Sequence, residues 1–301
     1  MFKAFSNRLF DSSFPYAFLG VILGSAFIGA SPIFVRLSAV DPFATGFFRF
    51  FFALPFLWTW MVIDTMATKE PRHPKMGKDY LLLSVAGVFF ALDIAFWHHS
   101  LHHTSVVNST LLNSMTPIFV TLIAWFVWRE KISGISVIGV IFAIAGTCLL
   151  VLAEGKIGEV KFFGDFLALI SALFFAGYVL IVKHLRGYFT APTIMAWSSM
   201  SCMYCLAILT FSCEQHIIPS HWEEWLPLLG LAVIVHAMGQ GLIAVSLKHL
   251  SATFSAITMM ITPVVSALLA WVLFQEPFTG LKIAGGLIIV VGIIIARQNE
   301  K

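Results

Sequence analysis

The chain has 301 residues, of which 59% are hydrophobic and only 11% are charged. A soluble domain usually carries about 25% charged residues, so this composition excludes a soluble globular protein and indicates that lipid is the solvent. The net charge of +3 is small and dispersed, which argues against a nucleic-acid partner.

Long apolar runs separated by short polar links predict an all-α integral membrane protein. A membrane-spanning helix needs about 20 mostly apolar residues. The ten predicted spans are 15–36, 43–63, 80–101, 105–127, 133–153, 163–183, 191–212, 225–247, 251–273 and 279–296. The first apolar stretch is too long for the core of a cleavable signal peptide, so we interpret it as a span.

The distribution of lysine and arginine predicts the orientation of these spans. With the N-terminus placed in the cytoplasm, the cytoplasmic segments hold 13 Lys and Arg residues and the outer segments hold 4. Cytoplasmic loops of membrane proteins carry the excess of positive charge. We therefore predict a multi-pass protein of the inner (plasma) membrane with both termini in the cytoplasm.

The second half of the chain repeats the first at an offset of 146 residues without a gap. The matches are mostly Ser, Thr, Pro, Trp, Glu and Gly, which composition alone does not explain. They pair Ser25 with Ser171, Ser109 with Ser255, Thr116-Pro117 with Thr262-Pro263, Trp125 with Trp271, Glu130 with Glu276, Gly134 with Gly280, Gly139 with Gly285, and Gly146 with Gly292.

The repeat divides the chain into residues 1–153 and 154–301, with five predicted spans in each half. Because five is odd, the second half enters the membrane from the opposite side. The expected fold is therefore a pair of inverted five-helix repeats. Secondary transporters commonly have this arrangement, with the substrate site near the midplane between the repeats.

Each half resembles an EamA domain of the drug/metabolite transporter superfamily. The resemblance is carried by a short polar link, a Thr-Pro within the fourth helix of the half, an acidic residue at its end and a glycine-rich closing helix. In the first half these features are the 101–105 link, Thr116-Pro117, Glu130 and Gly134, Gly139 and Gly146. The resemblance implies an inner-membrane carrier, often an exporter of amino acids or related metabolites, with a central cavity.

Ionisable residues within predicted spans are costly to bury and usually functional, and Arg49 and Asp93 are candidates of this kind. Arg49 lies in span two and Asp93 in span three, at depths that permit an ion pair. Arg49 also resembles a family feature. One interpretation is a fixed pair that joins the two spans, and the other is that Asp93 accepts a proton or binds a cationic group of the substrate.

Further polar and aromatic residues in the predicted spans are candidates for lining the substrate cavity. His236 and Gln240 are spaced i,i+4, and the hydroxyl residues of spans four and nine form polar stripes that also suit helix packing. The remaining candidates are Trp97, Asn113, Thr116, Tyr178, Thr258 and Thr262. Asn113 is the strongest candidate for direct contact.

Four histidines occupy the outer end of span three at positions 98, 99, 102 and 103. His98 and His99, with Asp93, are candidates for proton coupling, because imidazoles titrate near neutral pH. The i,i+4 spacing can also bind zinc, but no further ligands of matching type are evident. We therefore predict no metal site and interpret these residues as interfacial unless they relay protons.

The sequence favours a secondary transporter that exports small metabolites such as amino acids by alternating access, and proton coupling is left open. The alternative is a metal-ion or organic-cation transporter that uses the histidine-rich end of span three. An integral membrane enzyme is disfavoured, since no nucleophile and base pair or carboxylate pair is present. We expect no cofactor, a small-molecule substrate, and a monomer or weak dimer.

Overall fold

The computed structural model describes residues 13–67, 74–104, 109, 112–129, 133–153, 162–275, 277 and 279–298. Every regular element in these ranges is a helix. The helices are α1 (Ser13–Gly29), α2 (Ser31–Leu37), α3 (Pro42–Ala67), α4 (Gly77–His103), α5 (Thr116–Trp128), α6 (Gly134–Leu152), α7 (Phe162–Leu185), α8 (Ala191–Cys213), α9 (Trp222–Ser246), α10 (Ala252–Met259), α11 (Ile261–Phe274) and α12 (Gly280–Arg297).

Nine stretches within the described residues are long and apolar enough to cross a membrane. In two of them a pair of helices forms one span, namely α1 with α2 and α10 with α11. The predicted fourth span, 105–127, is described mainly in its second half, where the apolar helix Thr116–Val127 is shorter than a full span. The multi-pass helical membrane fold is confirmed, and a total of ten spans stays a prediction.

The outward faces of the bundle carry large apolar side chains, as contact with lipid requires. Phe126 on α5 is 80% exposed and Phe162 on α7 is 82% exposed. Leaving many such rings in water would be unfavourable, whereas lipid tails solvate them. The apolar interior is formed by side chains such as Phe50, Leu83 and Ile194, which are fully buried.

Helix breaks recur at equivalent places in the two halves. α5 begins at Thr116, one residue before Pro117, and α11 begins two residues before Pro263. Proline has no backbone N–H and clashes with the preceding turn, so a helix readily starts anew at this point. The polar stripes predicted for spans four and nine are therefore interrupted by a helix break and do not follow one continuous helix.

The ends of these helices repeat as well. Arg129 and Gln275, which are 146 residues apart, are the two non-glycine residues with positive φ in the described ranges, at 54° and 55°. Each ends its helix in the left-handed conformation that commonly terminates helices. The next helices begin after Ser133 and Thr279, whose hydroxyls accept backbone hydrogen bonds in their first turns.

Glycines bring the backbones of α6 and α12 into close contact. A Cβ at Gly139 would lie 2.8 Å from the carbonyl oxygen of Gly292, and one at Gly146 would lie 2.5 Å from that of Gly285. Gly146 lies seven residues after Gly139 in α6, whereas its partner Gly285 lies seven residues before Gly292 in α12. The two helices are therefore antiparallel. The offset of 146 exchanges the two contacts, as a two-fold relationship between the halves requires. The inverted repeat itself stays a prediction.

The interior of the bundle is built by helices from both halves. α4 packs against α7 and α8, and α3 packs against α8 and α9. α1 packs against α9, which is the counterpart of the α4–α7 contact under the same offset. α3, α4, α7 and α9, which carry Arg49, Asp93, Tyr178 and His236, are therefore linked by packing contacts.

Candidate functional site

Asp93 is held in a buried polar cluster by two residues from neighbouring helices. The Ser171 hydroxyl on α7 donates a 2.6 Å hydrogen bond to Oδ1 of Asp93. The Asn113 side-chain amide lies 2.7 Å from the Ser171 Oγ and 3.5 Å from the same Asp93 oxygen. Only 8% of Asp93 is exposed. The three side chains join the predicted spans three, four and six around one carboxylate.

Local structure explains how these side chains reach one another. Small residues allow α4 and α7 to approach closely, since a Cβ at Gly177 would collide with the ring of Phe89. Asn113 precedes the break before α5, and the Thr116 hydroxyl donates to its carbonyl oxygen at 2.8 Å. This turn fixes the Asn113 backbone while its side chain points towards Asp93.

The Asp93 cluster has no counterpart in the second half. The position 146 residues after Asp93 is Gly239, and the position after Asn113 is Met259. The counterpart of Ser171 is Ser25, whose hydroxyl donates to the Val21 carbonyl oxygen of its own helix at 2.6 Å. The polar chemistry of the site is therefore asymmetric although the surrounding helices repeat.

Arg49 lies half-buried on α3 beside two phenylalanine rings. Its guanidinium carbon is 5.7 Å from the ring centroids of both Phe50 and Phe90. The ring of Tyr178 stacks on Phe90 with centroids 4.4 Å apart. The buried Nε of Arg49 has no hydrogen-bond partner among the described residues. A cation in this environment has unused hydrogen-bonding capacity.

The structure does not form the direct Arg49–Asp93 ion pair that the sequence left open. Within the described residues, the hydrogen bonds of Asp93 come from Ser171 and Asn113. The charges of Arg49 and Asp93 do interact electrostatically. The two residues therefore lie within range of each other's charge but are not a fixed pair.

His236 faces the same two phenylalanine rings from α9. Its ring centroid is 4.4 Å from that of Phe50 and 5.9 Å from that of Phe90. Nε2 of His236 lies 2.7 Å from the Ser199 hydroxyl on α8, and Nδ1 has no hydrogen-bond partner in the described part of the chain. Only 1% of the residue is exposed. His236 thus keeps one unused polar atom beside the rings that contact Arg49.

The helical geometry around His236 differs from the predicted regular span. Leu231–Gln240 is a π-helical segment between two α-helical turns of α9. Such segments are rare and often occur at functional sites. The sequence predicted that His236 and Gln240, four residues apart, share one face of an α-helix, and the wider π-helical turn changes this relation. Gln240 is nevertheless buried, with 3% of the residue exposed.

The predicted threonines satisfy backbone carbonyl groups. The hydroxyl of Thr258 donates to the Phe254 carbonyl oxygen at 2.9 Å, within its own helix. The hydroxyl of Thr262 donates across the bundle to the Ser25 carbonyl oxygen at 3.3 Å. Trp97 is half-buried with its ring 5.2 Å from that of His98. These contacts favour packing and helix bonding for the three residues.

The histidines at the end of α4 face different environments. His98 is buried at 5% exposure, whereas His99 is exposed and its ring lies 4.9 Å from that of His103. The His102 side chain, Glu130 and Glu276 lie outside the residues that the structure describes. No group of three or more metal-ligating side chains occurs in the described ranges.

Sequence reasoning missed Ser171 and Ser199 as site residues. Ser171 was visible only as a repeat match with Ser25, and Ser199 is one of several serines in α8. Their roles arise from contacts between helices distant in sequence. Cys202 and Cys205, which form a C-x-x-C in the sequence, are free thiols within α8, with Cys202 buried and Cys205 partly buried.

Comparisons with known proteins agree on one class. The chain matches proteins named the pseudopaline exporter CntI of Pseudomonas aeruginosa, 25% identical over 73% of this chain and 76% of that protein, and an uncharacterized transporter of Archaeoglobus fulgidus, 23% identical over 89% and 93%. A solved crystal structure matches 96% of this chain and 98% of its own with a TM-score of 0.79 and 17% identity, which shows the fold.

The sequence profile of the EamA-like transporter family matches residues 15–152 and again residues 162–298. The names of the family and of the relatives point to transporters rather than enzymes. The two matches together cover most of the chain. The protein belongs to the EamA-like transporter family.

Proposed function

We propose that the protein is a secondary transporter that exports small metabolites such as amino acids across the inner membrane. The observation that carries this proposal is the presence of two opposite charges in the interior, Arg49 and Asp93, that are not consumed by a direct ion pair. Charged groups within a bilayer are costly and mark substrate or ion pathways. A metabolite with charges of both signs complements such an interior.

The hydrogen bonding of Asp93 supports a role beyond scaffolding. Oδ1 accepts the hydrogen bonds from Ser171 and Asn113, whereas Oδ2 has no hydrogen bond with the described residues. A cationic amine of the substrate or a proton can bind this second oxygen. Proton coupling through Asp93 is part of the proposal, and His98 and His99 are further candidates on the path to the outer face.

Alternating access would follow from two inverted halves, residues 1–153 and 154–301. The exchanged glycine contacts between α6 and α12 support this arrangement, as do the two family matches along the chain. Similar halves of opposite orientation form similar gates at opposite faces of the membrane. The excess of Lys and Arg in one set of loops supports cytoplasmic termini.

Export is supported by the relative that is named an exporter. The alternative substrate classes, metal ions and organic cations, would use the histidine-rich end of α4. The neighbouring rings of exposed His99 and partly buried His103 are the observation that favours a metal ion. His98 is buried with its ring beside that of Trp97 and is not a member of this pair.

The experiment is transport in proteoliposomes with a panel of labelled amino acids, nucleosides and amines, each tested with and without a pH gradient. We expect accumulation of at least one amino acid, its loss in Asp93→Asn, and unchanged transport in Ser25→Ala. Absence of transport for the whole panel would contradict the proposal. Transport of simple amines alone would favour the organic-cation alternative.

A further inference from the structure

We propose that Arg49 and His236 bind a carboxylate group of the transported substrate beside the packed rings of Phe50 and Phe90. This inference rests on the proposed transport function and names the chemistry of its substrate. The two polar residues come from different halves of the chain, on α3 and α9, and contact the same two rings.

Arg49 supplies the charge for this site. Its Nε–H is buried without a hydrogen-bond partner among the described residues, and an unsatisfied buried donor is unfavourable. The planar guanidinium presents donors in a fixed fork that matches the two oxygens of a carboxylate. The neighbouring carboxylate, Asp93, is bonded to Ser171 and does not fill this fork. A carboxylate from outside the chain would do so.

His236 supplies a second unpartnered polar atom, Nδ1, in a side chain that is only 1% exposed. When the Ser199 hydroxyl donates to Nε2, the neutral imidazole carries its proton on Nδ1. Nδ1–H is then a donor beside the rings that contact Arg49. A bound carboxylate selects this tautomer, since the other would place two acceptors together.

The phenylalanine rings strengthen the interaction by excluding water. Charge-assisted hydrogen bonds are stronger than neutral ones, and low local polarity increases their strength further. Tyr178, stacked on Phe90, extends the apolar wall. Asp93 interacts electrostatically with Arg49, and its Oδ2 accepts no hydrogen bond from the described residues, so this oxygen can bind a cationic group. An amino acid would supply both partners, with its carboxylate on Arg49 and its ammonium group on Asp93.

The test is ligand binding to the purified full chain. Binding is detected by the change in tryptophan fluorescence and by the shift in melting temperature. The probes are matched pairs that differ in one group: phenylalanine and phenylalaninamide, leucine and leucinamide, alanine and alaninamide. We expect at least one free acid to bind, and its amide to bind about tenfold more weakly or worse, because the charge-assisted bond is lost.

Variants separate binding from packing. Arg49→Lys keeps the charge beside the rings but removes the fork, so we expect it to lose the preference for the acid. His236→Phe introduces the residue that Phe90 provides at the equivalent position of the first half, and it should weaken acid binding and spare the amide. The matched control is Arg36→Lys, since Arg36 also lies over a phenylalanine ring, 4.2 Å from the centroid of Phe274.

Equal binding of acid and amide, wild-type acid binding by Arg49→Lys, or no binding by any acid would overturn the inference. If Arg49→Lys does not fold, the acid–amide comparison and His236→Phe still decide. Arg49-dependent acid binding without transport in proteoliposomes contradicts the proposed function alone. Transport of substrates without a carboxylate, unaffected by Arg49→Lys, contradicts this inference alone.

Discussion

Ser171 and Asp93 are joined by a 2.6 Å hydrogen bond between α7 and α4, from the Ser171 hydroxyl to Oδ1 of the carboxylate. Ser25, at the equivalent position of the other half, uses its hydroxyl within its own helix instead. The repeat therefore offers two serines in similar surroundings, of which only one supports a buried charge. This difference provides matched controls for the site.

Asp93→Asn should abolish transport while the protein stays folded in the membrane. The substitution keeps the shape of the side chain and its ability to accept from Ser171, but it removes the charge and the proton exchange. The measurement is uptake into proteoliposomes, with size-exclusion chromatography in detergent as the folding check. Full transport activity in a folded Asp93→Asn protein would refute a functional role for the carboxylate.

Ser171→Ala should reduce transport by roughly tenfold, since hydrogen bonds to charged groups contribute about 1.5–3 kcal/mol and each 1.4 kcal/mol is a factor of ten. Ser25→Ala should have little effect, because it removes only a hydroxyl that bonds to the Val21 carbonyl oxygen. The comparison is made at equal amounts of reconstituted protein. Equal losses in both variants would assign Ser171 to packing.

Gly146→Ala should destabilise the bundle by about 1–3 kcal/mol, the usual cost of forcing atoms into a packed interior. Its Cβ would meet the Gly285 carbonyl oxygen and the Ile289 backbone nitrogen, so no flexible side chain can move aside to relieve the clash. The matched control is Gly134→Ala at the start of the same helix, where a Cβ meets nothing within 4 Å. The readout is the melting temperature in detergent, and equal values would contradict the close α6–α12 contact.

Single cysteines at Leu37 and Tyr188 should be labelled from opposite sides of the membrane. Leu37 ends α2 and Tyr188 follows α7, so they mark the ends of the first spans of the two halves, and both are more than half exposed. The background is a chain in which the four native cysteines are replaced. An impermeant maleimide should label Leu37→Cys in whole cells and Tyr188→Cys only after the membrane is opened. Labelling of both from one side would refute the inverted repeat.

Glu214→Ala should lower the melting temperature more than Glu223→Ala does. The Glu214 carboxylate, after α8, accepts hydrogen bonds of 2.5 Å and 2.6 Å from the backbone N–H groups of Phe43 and Ala44 at the start of α3. Loss of a helix N-cap costs about 0.5–2 kcal/mol. Glu223 is an exposed residue in the first turn of α9 and is the control. Identical melting temperatures would show that this tie between α3 and α8 contributes nothing.

The sequence alone was sufficient for the class of protein, because the apolar runs and their length are set by the bilayer and not by tertiary contacts. The repeat was visible as well, since Gly139, Gly146 and their counterparts had to stay small where the backbones of α6 and α12 meet. Arg49 and Asp93 were found because charges in apolar runs are rare.

The contacts of these residues depended on the tertiary structure. Which oxygen of Asp93 is bonded, and by which helix, depends on how α4, α5 and α7 pack, and no periodicity within one helix encodes this. The same holds for His236, where the π-helical turn and Ser199 set the free nitrogen. The sequence determined that lipid is the solvent, that the two halves repeat and that charged residues lie in the apolar spans. The tertiary structure decided the hydrogen-bond partners of these residues, because hydrogen bonds between helices depend on positions far apart in the chain.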